Sequence, residues 1–499
     1  MQAEQFRMIA KTLHSLEEVL AKEIQELGAT DIEIGRRMVS FVGDKAMLYK
    51  ANLRLRTALR ILKPVYTFKA SNPDELYEAL SRFDWTTIMT GRQTFSVDTT
   101  VYSDDFTHSK YVGYRCKDAI VDFFRAKDGT RPSVRLDNPD IYLNVHIANR
   151  EVTLSLDSSG ESLHKRGYRA VQTDAPINEV LAAGILLMAG WQGETDLIDP
   201  MCGSGTFLIE AALIARNIAP GIYRSGFAFE RWLDYDAALF DALYNDDSDE
   251  REFTHRIYGS DILPHAIEVA KRNVARAGVG RYVELDVMLL QERPQPTEPA
   301  LIVMNPPYGE RLRLTDPEAL YAMIGERLKH NFSGCTAWII AYKTEHFDHI
   351  GLRQSRRVEL MNGSLECELR GYELFSGKRE DYKSRPREPR FPKQRETTSG
   401  TTQRQREDRS ERPPRSAKPR GEEQRKGGFR SDRPSRGQST SERKPRSSQS
   451  ERIGESKHKK GQTLWPSDRF RFKDEEGRER RRPPRQQAFQ VFKSEDKQD

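Results

Sequence analysis

At the front of the chain, apolar and polar positions alternate in short runs. Phe6–Leu13 reads as a strand, and Leu16–Leu27 as an amphipathic helix with Ser15 as its candidate cap and Gly28 as its stop. Asp31–Val42 reads as a strand or hairpin and leads into a second helix running through Arg60. The βαββα order predicts a small α+β sandwich over residues 1–65. A second α+β unit follows. Asn72-Pro73-Asp74 opens a helix, Thr94–Val101 is a strand, and Lys117–Phe124 lies in another helix. Ile141, Leu143, Val145 and Ile147 alternate with polar neighbours, and a turn at Ala148–Arg150 leads into Val152–Leu156. That period of two marks strands with one buried face.

From residue 176 the pattern changes to strands alternating with helices. Helix Asn178–Gly190 precedes strand Asp196–Asp199, a glycine turn and helix Phe207–Asn217. Strand Ile257–Ser260, helix Pro264–Ala277 and strand Tyr282–Asp286 follow, then strand Leu301–Met304, helix Pro317–Asn331 and strand Ala337–Tyr342. Strands Arg356–Met361 and Leu365–Phe375 close the series, joined at Asn362-Gly363, a hairpin signal. The alternation predicts an α/β fold: a seven-stranded, mainly parallel sheet covered on both faces, with a closing hairpin that adds one antiparallel strand.

Charge divides the chain into two materials. Residues 377–499 hold 37 basic and 21 acidic residues and only 13 apolar ones in 123, whereas residues 1–376 carry a net charge of −10. This back segment cannot bury enough apolar surface to offset the entropy of ordering it, so it is read as a disordered basic tail. Lys45, Lys50, Arg54, Arg56, Arg60 and Lys63 are a local basic run in the acidic front, read as a solvated helical face. No apolar run approaches the ~18–20 residues that cross a bilayer, and the start lacks a secretory pattern. The expected setting is therefore cytoplasmic, with no membrane partner. Cys116, Cys202, Cys335 and Cys367 lie far apart without a CxxC pair, which argues against disulfides and structural zinc. His346 and His349 lack a third convincing ligand, so no metal site is expected.

Three segments carry chemistry. In Asp199-Pro200-Met201-Cys202-Gly203-Ser204-Gly205-Thr206, the glycines let a ligand approach the backbone, and the following helix N-terminus offers unpaired N–H groups. It is not a phosphate loop, because no GxxxxGK[ST] occurs, and Leu208 stands where a dinucleotide fingerprint needs its third glycine. Asp261 in Gly259-Ser260-Asp261-Ile262 is placed to accept two ribose hydroxyls, and Asp286 to meet an adenine edge. Asn305-Pro306-Pro307-Tyr308 directly follows the fourth strand of the α/β unit. Its prolines stiffen the loop, so that Asn305 and the Pro306 carbonyl accept hydrogen bonds from an exocyclic amine while Tyr308 stacks on the attached ring. An aromatic amine is a poor nucleophile because its lone pair is delocalised. Fixing both N–H bonds favours a pyramidal nitrogen and aims that lone pair, and no strong base is required.

DPMCGSGTFLIEAAL, GSDI and NPPYGERL, in this order and spacing, resemble the class I S-adenosylmethionine-dependent RNA methyltransferases with an N-terminal THUMP domain. HKRGYR (164–169), PINEVLAAGIL (176–186) and NGSLECELRGYEL (362–374) are similar to the guanine-N2 half of the bacterial 23S rRNA methyltransferase that is fused in some bacteria to a second enzyme. The resemblance implies a ferredoxin-like domain over 1–65, a THUMP domain over 66–160 and a Rossmann-like methyltransferase domain over 161–376, with the tail from 377. It implies that Asp199, Pro200, Cys202, Gly203, Ser204, Gly205, Thr206, Asp261, Ile262 and Asp286 hold S-adenosylmethionine. Asn305, Pro306, Pro307 and Tyr308 would then grip the target base. Methyl transfer to an amine needs no thiol, so the Cys202 side chain is assigned packing. The implied partner is RNA, 23S rRNA first and tRNA as the alternative, with a pre-ribosomal particle as a further partner. Rival readings are adenine-N6 methylation, since NPPY serves that amine too, and an RNA-binding assembly factor whose methylation is incidental.

The tail adds sequence-independent affinity for RNA by releasing condensed counterions, and Trp465, Phe470 and Phe472 offer stacking surfaces for unpaired bases. Deletion of residues 378–499 is expected to weaken RNA binding and flatten its salt dependence while leaving free-cofactor affinity intact. Unchanged RNA affinity in titrations at several salt concentrations would count against this.

Overall fold

The computed structural model describes residues 4–169, 176–307, 316–342 and 344–375, together with 472–473 and 479–480. The last two pairs form a short antiparallel ladder; the rest of the expected disordered tail lies outside the described residues. Among the described residues no helix is long and apolar enough to cross a membrane.

The first half contains β1 (Phe6–Lys11), α1 (Glu17–Glu26), β2 (Thr30–Gly35), β3 (Met38–Gly43), α2 (Lys45–Arg54) and β4 (Arg60–Lys69). It continues with α3 (Pro73–Arg82), β5 (Phe95–Tyr102), α4 (Ser109–Asp128), β6 (Ile141–Ala148) and β7 (Glu151–Asp157). All seven strands join one sheet in the order β2-β3-β1-β4-β7-β6-β5. Strand β4 pairs antiparallel with β1 through residues 60–62 and with β7 through residues 62–69, so one strand serves both sides of position 65. The ladder to β7 shifts register between Pro64 and Tyr66. Proline has no N–H to donate, and a bulge is where a central strand tolerates it. Asn72 caps α3 by accepting from the N–H groups of Asp74 and Glu75, with Pro73 in the first turn.

Three local expectations are corrected here. Ser15 does not cap α1: it adopts φ +67°, and the turn it makes sends Leu16 into the core of the second half, against Gly184. The second helix does not run to Arg60. It ends at Arg54, because the Glu23 carboxylate on α1 accepts from the N–H groups of Arg56 (2.8 Å) and Thr57 (3.0 Å) and fixes them in a loop. The basic run is correspondingly not a solvated face. Lys45 pairs with Asp234 (3.3 Å), Arg54 with Asp249 (2.9 Å) and Arg60 with Asp157, while Arg56 is buried and Lys63 lies over the Phe6 ring.

The second half comprises α5 (Glu179–Met188), β8 (Asp196–Asp199), α6 (Thr206–Ala215), α7 (Ala237–Asn245), β9 (Ile257–Asp261), α8 (Pro264–Arg276) and β10 (Val283–Val287). It ends with β11 (Ala300–Met304), α9 (Pro317–Asn331), β12 (Thr336–Ala341), β13 (Arg356–Asn362) and β14 (Leu365–Glu373). The sheet order is β10-β9-β8-β11-β12-β14-β13. The first five strands of that order are mutually parallel, and β14 runs antiparallel to both of its neighbours. Every residue of β11 is buried, as a strand covered on both faces requires. Helices α5 and α6 pack in the apolar layer on one face, and α9 packs in the layer on the other.

Residues 219–245, which show no clear period in the sequence, belong by contact to the first core. Phe227, Phe229, Phe240 and Tyr244 are buried there with Tyr49 of α2. The Tyr49 and Phe229 rings stack at 4.4 Å, Phe240 meets Tyr49 edge-on at 5.6 Å, and the Tyr49 hydroxyl accepts from the Asp236 N–H at 3.0 Å. The segment therefore clamps the two halves together. Phe229→Ala is expected to lower stability by about 3–5 kcal/mol, the usual cost of emptying an aromatic site. A denaturant midpoint within error of the parent would show the clamp to be peripheral.

Candidate functional site

In the second sheet β8 is the first strand in the chain; β9 and β10 lie to one side of it, β11 and β12 to the other. The topological switch is thus between β8 and β11, and ligands of open α/β sheets sit at the carboxyl ends of the strands there. Asp199, Asp261 and Asp286 end or nearly end β8, β9 and β10, and Asn305 follows β11. Register fixes their levels: Asp199 stands opposite Gly259, and Asp286 opposite Ser260. Four positions 106 residues apart from first to last therefore share one edge.

The turn from β8 to α6 is held by backbone groups. The Cys202 N–H donates to the Ser260 carbonyl at 2.9 Å, and the Gly205 N–H to the Cys202 carbonyl at 2.8 Å. The Gly203 N–H donates to Asp261 Oδ2 and the Leu263 N–H to Asp261 Oδ1, both at 3.0 Å. Asp261 thus ties the turn to its neighbouring strand, and each of its oxygens keeps a lone-pair site for a further donor. Gly205 caps α6 with φ +81°, where a Cβ would press on Ala270 at 3.3 Å; Gly203, at φ +50°, would point a Cβ into open space. Only glycine gives this path without strain.

Asp199 is 1% exposed, and its Oδ1 accepts from the Met201 N–H at 3.2 Å. Burial raises its carboxyl to about 8; the Met201 N–H acts against that rise and the Asp261 charge adds to it. Beside the acids lies an apolar shelf: Ile262 is 61% exposed, Leu263 58% and Val287 53%. Exposed large apolar side chains next to strand-end carboxylates suit a flat ring with polar edges. Pro200 is buried and Pro307 half-buried; Tyr308 lies outside the described residues. Cys202 is a buried free thiol whose pKa burial pushes up, so it remains protonated and packs. Asn305 is the sharpest feature. Its Oδ1 is buried and has no hydrogen-bond partner among the described residues, beside the buried Pro306. Such an acceptor is costly to leave empty, and a native one needs an explanation.

Sequence reasoning gave no role to several groups that shape this edge. The Asn273 side-chain amide on α8 donates to the Ser204 carbonyl at 3.0 Å. Arg169 donates to the hydroxyls of Ser204 and Thr206, both at 2.9 Å. Arg293 is buried with its Nε 3.4 Å from the Ser260 hydroxyl; burial lowers its pKa, and the charges of Asp286 and Asp199 oppose that shift. Arg169 stands in the HKRGYR segment, a signal that could have found it; Asn273 and Arg293 have no local signature. His349 lies 3.9 Å from Glu318, and the His346 ring lies against Tyr321.

Residues 166–371 match the family model described as the RMKL-like methyltransferase domain, residues 70–157 the THUMP domain, and residues 7–62 the RlmL ferredoxin-like domain. Slr0064 of Synechocystis, provisionally named an RNA methyltransferase, is 39% identical over 371 residues, covering 73% of this chain and 96% of its own. The ribosomal RNA large subunit methyltransferase K/L of Syntrophotalea carbinolica is 40% identical over 382 residues, covering 74% of this chain. The match takes in 53% of that protein, so the chain spans about half the length of this relative. The crystal structure of SMU.472, provisionally a methyltransferase and complexed with SAH, is similar with a TM-score of 0.67 at 31% identity. It covers 76% of this chain and 100% of that one.

Because the Asp199 carboxyl is held at about 8, above its ordinary 3.8, its stabilising contribution is complete below about pH 4 and is lost as pH rises through about 8. The melting-temperature advantage of Asp199→Asn over the parent should therefore grow from pH 5 to 8 and level off above. A pH-independent difference in calorimetry over pH 5–9 would show that Asp199 does not titrate there.

Proposed function

The chain belongs to the THUMP-bearing, RMKL-like family of S-adenosylmethionine-dependent RNA methyltransferases, and from that premise we propose that it methylates the exocyclic N2 amine of a guanine in 23S rRNA. The observation that carries this reading is the buried Asn305 Oδ1 beside Pro306, without a hydrogen-bond partner among the described residues and one sheet position from the glycine turn.

The residues present fit the cofactor. The open space at Gly203 and the α6 N-terminus accommodate its amino-acid end, Asp261 retains acceptor sites for ribose hydroxyls, and Asp286 with the Ile262–Leu263 shelf meets an adenine. S-adenosylmethionine supplies a methyl group on a sulfonium centre, which is electrophilic without acid assistance. The protein's work is on the acceptor. Asn305 Oδ1 and the Pro306 carbonyl each accept one N–H of the amine, the stiff Pro306-Pro307 loop fixes both acceptors, and the nitrogen lone pair is left pointing along the sheet edge. Asn is neutral, so it orients the amine without ionising it. The base must leave its stack to reach this edge, at a cost of a few kcal/mol. That favours loops and incompletely folded RNA as substrate.

The K/L relatives, named as ribosomal RNA large subunit methyltransferases, support rRNA over tRNA, and the resemblance of residues 362–374 to the guanine-N2 enzyme supports guanine over adenine; both are part of the proposal. Methyl-labelled S-adenosylmethionine supplied with unmodified rRNA, tRNA and DNA, followed by nucleoside mass spectrometry, should place the label in N2-methylguanosine from rRNA. Label in N6-methyladenosine, or only in tRNA, would overturn the reading. Asn305→Ala should lower kcat by about 10²–10³, as for removal of one preorganised hydrogen-bonding group, with binding of S-adenosylmethionine nearly intact. Near-normal turnover would remove the amine-gripping role.

A further inference from the structure

We propose that Arg169, 30 residues before the glycine turn, is a positioning residue that sets the conformation of the turn through two hydroxyls. This rests on the reading of that turn as the S-adenosylmethionine site. The Arg169 guanidinium spreads over four acceptors. Its Nη1 donates to Ser204 Oγ at 2.9 Å, and Nη2 to Thr206 Oγ1 at 2.9 Å and to the Ile177 carbonyl at 3.3 Å; Nε donates to Glu179 Oε1 at 2.8 Å. Ser204 and Thr206 flank Gly205, the residue at φ +81° that opens α6, and both are buried. One planar cation therefore grips the chain on both sides of this positive-φ glycine. The ion pair with Glu179 is itself buried, so the fork carries no net charge into the site.

The fork is seated by what precedes it. Arg166 is buried, donating from Nη1 to the Leu163 carbonyl at 2.9 Å and from Nη2 to the Arg56 carbonyl, with Nε 3.5 Å from Glu210 Oε1. The Tyr168 hydroxyl donates to the same Glu210 oxygen at 2.8 Å. Glu210 lies one turn along α6 from Thr206, so residues 166–169 are fastened to that helix over its first two turns. The Arg56 carbonyl belongs to the loop that enters β4 of the first sheet. The segment thereby fixes the turn relative to the half of the molecule that carries the THUMP match.

A lysine keeps the charge beside Glu179 but cannot present two donors in a plane to Ser204 and Thr206. In the full chain, Arg169→Lys should weaken calorimetric binding of S-adenosylmethionine by about ten- to a hundredfold, the usual range for hydrogen bonds from a charged group. It should raise KM for the cofactor in the same proportion, with kcat at saturation and RNA affinity within about twofold of the parent. In a Ser204→Ala/Thr206→Val background the same change should have no further effect, since the hydroxyls through which it acts are gone. Parent-like binding by Arg169→Lys, or full additivity in the triple variant, would overturn the proposal. Failure of the parent chain to bind S-adenosylmethionine would instead overturn the cofactor reading beneath it.

Discussion

The site depends on a turn that must pass from a buried strand to a buried helix without a side chain on its ligand side. Its backbone N–H groups need acceptors, and the protein provides them from the adjoining strand: the Ser260 carbonyl and the Asp261 carboxylate take the N–H groups of Cys202 and Gly203. Asp261 therefore shapes the turn as well as lying beside the space the turn leaves open. The same arrangement raises the Asp199 carboxyl. With water excluded and Asp261 close by, a second negative charge at this edge is unfavourable. A ligand bringing positive charge to the edge would relieve that constraint.

From this edge the structure reaches outward by two routes. Residues 166–169 connect α6 to the loop before β4, and residues 219–245 place an aromatic cluster between α2 and the second half. Both are long-range contacts between separate layers: one is a buried network of charges and hydroxyls, the other close-packed rings. Arg231 in the second segment also donates to the Asn138 and Pro139 carbonyls, so the clamp extends to the loop before β6. The two contacts thus join the second half to the first at separate places.

Charge is partitioned to the same end. In the globular part the basic residues of α2 and its exit are engaged by acids from distant segments, such as Asp157, Asp234 and Asp249. Residues 377–499 carry a net charge of +16 against −10 for residues 1–376. An acidic body and a basic tail would divide the work between shape and electrostatic attraction, the latter being salt-dependent.

The sequence by itself determined the alternation of strands and helices in the second half, often to the residue: Asp196–Asp199 and Pro317–Asn331 are found as read. It also located the glycine turn, the strand-end acids and Asn305, because hydrophobic period, glycine and proline act locally and leave local marks. Tertiary structure decided what depends on partners far along the chain. Helix α2 stops at Arg54 because of Glu23, Ser15 turns so that Leu16 can reach the second core, and residues 219–245 leave the unit in which they are written. Arg169, Asn273 and Arg293 acquire their places in the same way, and the solvated basic face disappears into ion pairs. In each case a side chain took a partner tens to nearly two hundred residues away. Such a partner is chosen by packing in three dimensions, and no periodicity in one dimension encodes it.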